Sequence, residues 1–330
     1  MHSKQVLKQS LGIDVSKDSL SYCLGILQSD LTKHFQAGSD LANTPFGFKR
    51  LLDWLKQNAI NVPQPIIVME STGVYHEGIA HYLHAHGYAV SILQSGRVKR
   101  YAQSLDQRSK TDALDSRMLS MLGCERELQV WSPPNTCLQK LRFLSRERSA
   151  LVKERSQELN RWHALSSGSY QDTQTKKRYD TRMDLLQAQI TEIELEMRLV
   201  IKSDQKLAKR ITYLASIPGV SFISTATVVA ETLGFNTITN TKQLTSYAGY
   251  DVVLRESGNY HGKTRISKKG NKHIRAVLHM PSMAAIRLNP SLKPFYQRLK
   301  QKKEKPIIAL IAVQRKLLIL MYCLWKKQMY

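Results

Sequence analysis

Ser10-Leu-Gly-Ile-Asp-Val-Ser-Lys-Asp-Ser-Leu-Ser-Tyr-Cys-Leu-Gly-Ile-Leu27 decides how the first third of the chain folds. Residues 10–15 read as a strand, Lys17-Asp18 as a polar break, and residues 20–27 as the second, apolar-rich arm of a hairpin. Downstream, Phe46 to Gln57 carries helical spacing through Phe48, Leu51, Leu52 and Leu55. Pro65-Ile-Ile-Val-Met-Glu70 and Ala89-Val-Ser-Ile-Leu93 are short buried strands, with a helix from Tyr75 to His86 between them. Strand, hairpin, helix, strand, helix, strand is the order of a mixed sheet with helices on its faces.

Beyond Trp131-Ser-Pro-Pro134 the pattern becomes helical. Leu138 to Leu165 and Thr181 to Ile201 are long polar helices, and Met183, Leu186, Ile190, Ile193, Met197 and Val200 alternate spacings of three and four. Such an a/d seam needs a partner helix, and an antiparallel hairpin hinged at residues 166–177 supplies one. Spacing alone fits packing within one subunit and dimerisation equally. Leu214-Ala-Ser-Ile-Pro-Gly-Val-Ser-Phe-Ile223 resembles the turn of a helix-hairpin-helix element, with Ser221 where a second glycine usually stands. The expected fold class is therefore α/β plus all-α, in three parts: 1–125, 126–206 and 207–330.

The 330 residues are 42% apolar, enough for a core in each part, and carry a net charge of +23. Residues 251–330 alone hold 18 Lys and Arg against Asp251, Glu256 and Glu304, a net of +15. A field of that sign and size points to a polyanion, because phosphates neutralised by cations release counterions. Cys23, Cys124, Cys137 and Cys323 are scattered, which indicates neither a zinc knuckle nor a disulfide framework and fits the cytoplasm. Pro306 to Trp325 is the most apolar run, but Gln314-Arg315-Lys316 interrupts it, so it reads as a buried helix and no membrane partner is expected.

Four acids stand out by position. Asp14 ends a strand in Gly12-Ile-Asp-Val-Ser-Lys17, and Glu70 ends another in Val68-Met-Glu-Ser-Thr-Gly73. Asp112 and Asp115 lie in Lys110-Thr-Asp-Ala-Leu-Asp-Ser-Arg117, where a helix begins, and their i, i+3 spacing puts them on one face. Taken singly, Asp14 can close a turn and Asp112 can cap a helix. Together, carboxylates at strand ends and on one helix face can converge, and oxygen-only ligands suit Mg2+ or Mn2+. Two such ions can hold the attacking and leaving oxygens of a phosphodiester.

These motifs, followed by Ser-Ile-Pro-Gly-Val, Leu-Thr-Ser-Tyr-Ala-Gly249 and Arg-Ile-Ser-Lys-Lys-Gly-Asn271, resemble in order those of the DEDD transposases of bacterial insertion sequences, the IS-one-ten family. The resemblance runs from about residue 10 to residue 325. It implies an RNase H-like (RuvC-like) domain, a coiled-coil middle and a small helical transposase domain. It also implies that Asp14, Glu70, Asp112 and Asp115 are the metal tetrad, and that Ser257, in its Glu-Ser-Gly setting, is the nucleophile. Partners implied are donor and target DNA, a noncoding guide RNA from the element, and further copies of the chain, as dimer or tetramer, that complete composite active sites. Lys263, Arg265, Lys268, Lys269, Lys272 and Arg275 would grip phosphates beside the serine. Ser267 is the competing serine, expected instead to cap a helix over Asn271 to Ile286, and neither Glu256 nor His261 is assigned as a base. Other functions compatible with the motifs are a Piv-like DNA invertase, a junction nuclease that uses water, and an architectural nucleic-acid binder.

Overall fold

The computed structural model describes residues 5–60, 63–71, 73–105, 111–170, 172–253, 256–257, 260–261, 265–302 and 305–327. Side chains are described for all of these except Glu256, Tyr260 and His261. Its contacts form two compact units, residues 1–133 and 134–330.

The first unit runs β1 (Val6–Val15), β2 (Ser19–Gln28), β3 (Lys33–Ala37), β4 (Leu41–Ala42), α1 (Pro45–Asn58), β5 (Ile66–Glu70), α2 (Glu77–Ala85), β6 (Val90–Leu93), α3 (Ser95–Ser104) and α4 (Asp112–Glu125). The main path of the sheet has the order β3-β2-β1-β5-β6, with β4 pairing β2. Strands β1, β2 and β3 are antiparallel neighbours, whereas β5 runs parallel to β1 and β6 parallel to β5. Helices cover both faces, so β1 is buried continuously from Gln9 to Ile13 and shows no alternation. One face packs Leu11, Ile13, Ile67 and Met69 against Phe48, Leu51 and Leu55 of α1 and Ile79 and Leu83 of α2. The other packs Val68 and Leu93 against Val98 and Tyr101 of α3 and Met118, Leu119 and Leu122 of α4.

In the second unit, α5 (Thr136–Ser166) and α6 (Thr173–Ser203) form the antiparallel hairpin expected from the seam. The register is marked by Arg148 with Glu194 at 2.7 Å, Arg182 with Glu158 at 3.0 Å, and Trp162 stacked on Tyr179 at 4.9 Å. Ile190, Ile193, Met197 and Val200 of the seam are buried, and Met183 and Leu186 are half-buried. The hinge is shorter than expected. Asp172 accepts from Gln174 N and Thr175 N, so α6 starts at Thr173.

Next come α7 (Gln205–Ala215), α8 (Phe222–Glu231), α9 (Thr241–Ala248), four two-residue strands β7 (Val252–Val253), β8 (Glu256–Ser257), β9 (Tyr260–His261) and β10 (Arg265–Ile266), then α10 (Lys272–Val277), α11 (His279–Leu288), α12 (Leu292–Lys302) and α13 (Pro306–Lys327). One core joins the base of the hairpin, through Leu141, Leu144, Met197 and Val200, to Ile211, Leu214, Val228, Leu244, Ile274, Leu317 and Met321. The boundary expected at residue 206 therefore runs through a single core. Helix α13 is long and apolar enough to cross a membrane, but it lays Val313, Leu317, Leu318, Met321 and Trp325 into this core. It is a core helix, as its interrupted sequence suggested.

Between α7 and α8, Gly219 takes φ +93° where its missing side chain lets Ala285 of α11 approach, since a Cβ there would lie 2.5 Å from Ala285 N. Ser221 caps α8 by accepting from Ser224 N. The helix, turn and helix are thus present, with the glycine used for packing. The helix expected over 271–286 is broken at Leu278, because Pro281 cannot donate to Val277 and its ring crowds that carbonyl.

Candidate functional site: a carboxylate end and a serine arm

The parallel ladder between β1 and β5 ends with Ile13 opposite Met69, so Asp14 and Glu70 are the next residues on adjacent strands. Their face follows from Gly12 and Val68. A Cβ on Gly12 would overlap Ser116 O and Ser120 N of α4, and one on Gly123 would lie 2.8 Å from Val68 Cγ2. Gly12 and Val68 therefore look toward α4, and the period of two puts Asp14 and Glu70 on that same face. Helix α4 runs opposite to β1. Ser116 lies over Gly12, while Ser120 Oγ donates to Ser10 O at 2.8 Å and Gly123 sits against Ser10. The N-terminal turn of α4, which carries Asp112 and Asp115, consequently points toward the Asp14 end of β1.

Thr111 caps that turn by accepting from Leu114 N at 3.2 Å. The positive end of the helix dipole favours acids there. Asp14, Glu70 and Asp115 are half-buried and Asp112 is exposed. The four expected acids thus share one end of one sheet face. As the side chains stand, no group of three or more His, Cys, Asp and Glu among the described residues is gathered to hold a metal ion. The donors are all carboxylate oxygens, a set that fits a hard divalent cation, but the ligand set is open.

Ser257 stands on a hairpin arm, where a loop was expected. Val252 and Val253 pair with Ile266 and Arg265, and in a separate two-stranded sheet Glu256 and Ser257 pair with His261 and Tyr260. Ser257 ends β8 opposite Tyr260 of β9 and is exposed, which presents a small hydroxyl to solvent from a two-stranded pair. Ser267 is elsewhere and otherwise occupied. Its hydroxyl donates to Asp251 Oδ1 and accepts from Lys269 N at 3.3 Å. It does not cap the following helix. Asn271 does, accepting from His273 N at 2.9 Å and Ile274 N at 3.2 Å, because its side chain lies directly before the first free N–H groups of α10.

The two ends of the arm are locked together. Lys268 N donates to Gly249 O, Ser267 N to Asp251 O, and Asn271 N to Tyr247 O at 2.7 Å. Gly270 lies so close to α9 that a Cβ would be 2.5 Å from Tyr247 O and 2.6 Å from Gly249 N. Of the expected phosphate-binding cations, Lys263 falls outside the described residues. Arg265, Lys268, Lys269 and Lys272 are exposed around the arm's base. Lys268 holds a left-handed backbone, φ +54°, which costs a residue with a Cβ about 1 kcal/mol. Arg275 is half-buried and turns one guanidinium nitrogen onto Ala248 O at 2.8 Å.

A further group escaped sequence reasoning. Glu231, at the end of α8, which is buried from Ser224 onward, has no exposure. Arg146 Nε donates to its Oε1 at 2.8 Å, Arg146 Nη2 to its Oε2 at 2.9 Å, and Asn271 Nδ2 to Oε2 at 2.7 Å. Burial pushes the Glu231 carboxyl up, but these bonds and the charges of Arg146 and His273 outweigh it and hold the group below its usual range. His273 is pushed down, first by burial and then by Arg146 and its basic neighbours. The signal in the sequence is the lone acid closing the apolar run Ala226-Thr-Val-Val-Ala-Glu231.

Comparisons with known proteins place the chain among DNA-rearranging enzymes. The pilin gene-inverting protein of Moraxella lacunata is 28% identical over 319 residues, covering 96% of this chain and 95% of that one. Its counterpart from Moraxella bovis is 27% identical over the same span and shares. One family model, described as transposase, matches residues 11–169, which include the four acids. A second, described as transposase IS116/IS110/IS902 family, matches residues 211–297, which include the serine arm and Glu231. With both its carboxylate end and its serine arm inside those matches, the chain belongs to the IS110 family of transposases and is an enzyme of DNA recombination.

Proposed function

We propose that the protein is the transposase of an insertion sequence that cuts and rejoins DNA in the cytoplasm through a covalent serine intermediate. The observation that carries the reading is the placement of four acids at one end of one sheet face in the first unit, with an exposed serine on a short strand pair in the second. Asp14, Glu70, Asp112 and Asp115 would hold Mg2+ or Mn2+, which when bound would neutralise charge on the scissile phosphate. Ser257 Oγ would attack the phosphorus, forming a phosphoserine ester as the phosphodiester bond to the leaving strand breaks and that strand's oxygen takes up a proton. A hydroxyl of the partner DNA strand would then displace the serine. One ester is exchanged for another at each step, so no external energy source is needed.

The strand order β3-β2-β1-β5-β6, with three antiparallel strands followed by two parallel ones, supports an RNase H-like sheet for the first unit. The exposed cations around the arm support contact with nucleic-acid backbone, which carries no sequence information. Choice of sequence would fall to a guide RNA, since base pairing can read what the protein does not. The buried seam of α5 and α6 supports a coiled coil, and copies of the chain would join so that Ser257 serves the carboxylates of a partner.

The test is a plasmid carrying the gene with its own flanking DNA. Wild type should yield a protein–DNA adduct and joined product, and Ser257→Ala neither; joining by Ser257→Ala at the normal rate would sink the serine mechanism. RNA extracted with the purified protein should map to the element's flank. A second reading, site-specific DNA inversion, is favoured by the match to the two Moraxella proteins along 96% of the chain. It predicts an invertible segment beside the gene and no bound flank RNA.

A further inference from the structure

We infer that Glu231 is a positioning residue for the serine arm, joining Arg146 of α5 to Asn271 at the arm's exit and so fixing the direction in which Ser257 is presented. The inference rests on the reading of Ser257 as nucleophile. Its physical basis is the placement of a charge. Glu231 is wholly buried, and its two carboxylate oxygens accept three hydrogen bonds from groups on two other elements. Its own carbonyl accepts from Tyr247 of α9 at 2.8 Å. One residue of α8 therefore touches α5, α9 and the segment through which the chain leaves the arm.

Asn271 leaves little freedom at that segment. Its Oδ1 caps α10, its Nδ2 is on Glu231 and its backbone N–H is on Tyr247 O. The residue before it, Gly270, is pressed onto α9. A buried ion pair replaced as a whole by apolar groups is often neutral or stabilising, so the pair is not needed to fill the space. What an apolar group cannot do is impose an angle. Bidentate contact with a guanidinium and a bond to an amide are directional, so rotation of the arm's base breaks them.

The test uses the full chain with the same plasmid DNA and compares Glu231→Gln, Asn271→Asp and the double variant. In Glu231→Gln the introduced amide can set its N–H groups against those of Asn271. In the double variant that amide faces a carboxylate instead, which restores a donor–acceptor pair with reversed polarity. For Glu231→Gln the expected result is a tenfold or greater fall in the rate of adduct formation at saturating DNA, with DNA affinity unchanged within about twofold. Amide hydrogen exchange at residues 247–251 and 265–271 should quicken, and the double variant should recover both readouts. A folded Glu231→Gln protein with wild-type adduct rate, or a slowed one whose exchange at the arm's base is unaltered, would overturn the inference. If Glu231→Gln fails to fold, Arg146→Lys, at a side chain 44% exposed, carries the same comparison by breaking the bidentate contact. Failure of the underlying reading looks different: wild type would then form no adduct through Ser257 at all, whatever the exchange rates.

Discussion

Asp14 and Glu70 stand on strands of ten and five residues paired on both sides, under a helix that touches their backbone through glycine and serine. Ser257 stands on a strand of two residues, with a partner of two, in a sheet separate from the Val252–Val253 and Arg265–Ile266 pair. The first arrangement leaves the acids almost no play except rotation of their own side chains. The second places its order at the root, where Gly249, Asp251, Ser267, Lys268 and Asn271 are bonded across the arm, and leaves the tip exposed. Charge clusters that must bind a cation gain from rigidity. A nucleophile that must enter a phosphate's line of attack and later leave it gains from reach. On the proposed mechanism the two regions divide those demands.

The largest expected effect separates the regions by copy. Asp14→Ala and Ser257→Ala should each lower DNA joining on the order of 10^4-fold, while a mixture of the two proteins recovers a measurable fraction, because some sites then pair intact acids with an intact serine. Absence of recovery in stable mixed oligomers would place both groups of one site in the same copy. Next comes rigidity. Gly12→Ala should destabilise the first unit by about 3 kcal/mol, read in thermal melts, whereas Gly96→Ala in α3, where nothing lies within 4 Å, should not destabilise it.

The root of the arm should respond to acid. Glu231 and His273 both have lowered pKa values, so as pH falls the unfolded chain takes up protons first and stability is lost, below 6.5 for His273 and below 4.5 for Glu231. Glu231→Gln should cost about 2 kcal/mol at pH 7, less than a fully buried pair because water screens Arg146. It should also flatten the loss below pH 4.5 in denaturant titrations. The smallest effect has opposite signs: Lys268→Gly should raise stability by about 1 kcal/mol by relieving the left-handed backbone. It should also weaken DNA binding and reduce the salt slope by about one, as for a lost phosphate contact.

Legibility in the sequence tracks how local the cause is. Strands β1, β5 and β6 and helices α1 and α2 were readable because burial on two faces, or on one helix stripe, leaves a periodic or continuous apolar trace. Strand β3, Lys33-His-Phe-Gln-Ala37, is a polar sheet edge and leaves none, and α3 buries only Val98 and Tyr101. The acids were legible as strand ends and a first helical turn, because position within an element is a local property. The serine arm was read as a loop, since strands of two residues have no period. Glu231 was missed because its partners lie 85 and 40 residues away. The break at Leu278 is legible in Pro281.

The seam of α4 on β1 has a consequence for side-chain length. Contact through Gly12, Ser116, Ser120 and Gly123 brings the helix nearer the sheet than leucine or valine would allow. A carboxylate projecting from that helix then has a short gap to cross, and at 112 and 115 the chain uses aspartate, the shorter acid. Glutamate would extend the charge by one more carbon–carbon bond, about 1.5 Å. The smallest residues of β1 and α4 thus set how closely the turn that carries Asp112 and Asp115 lies to the sheet.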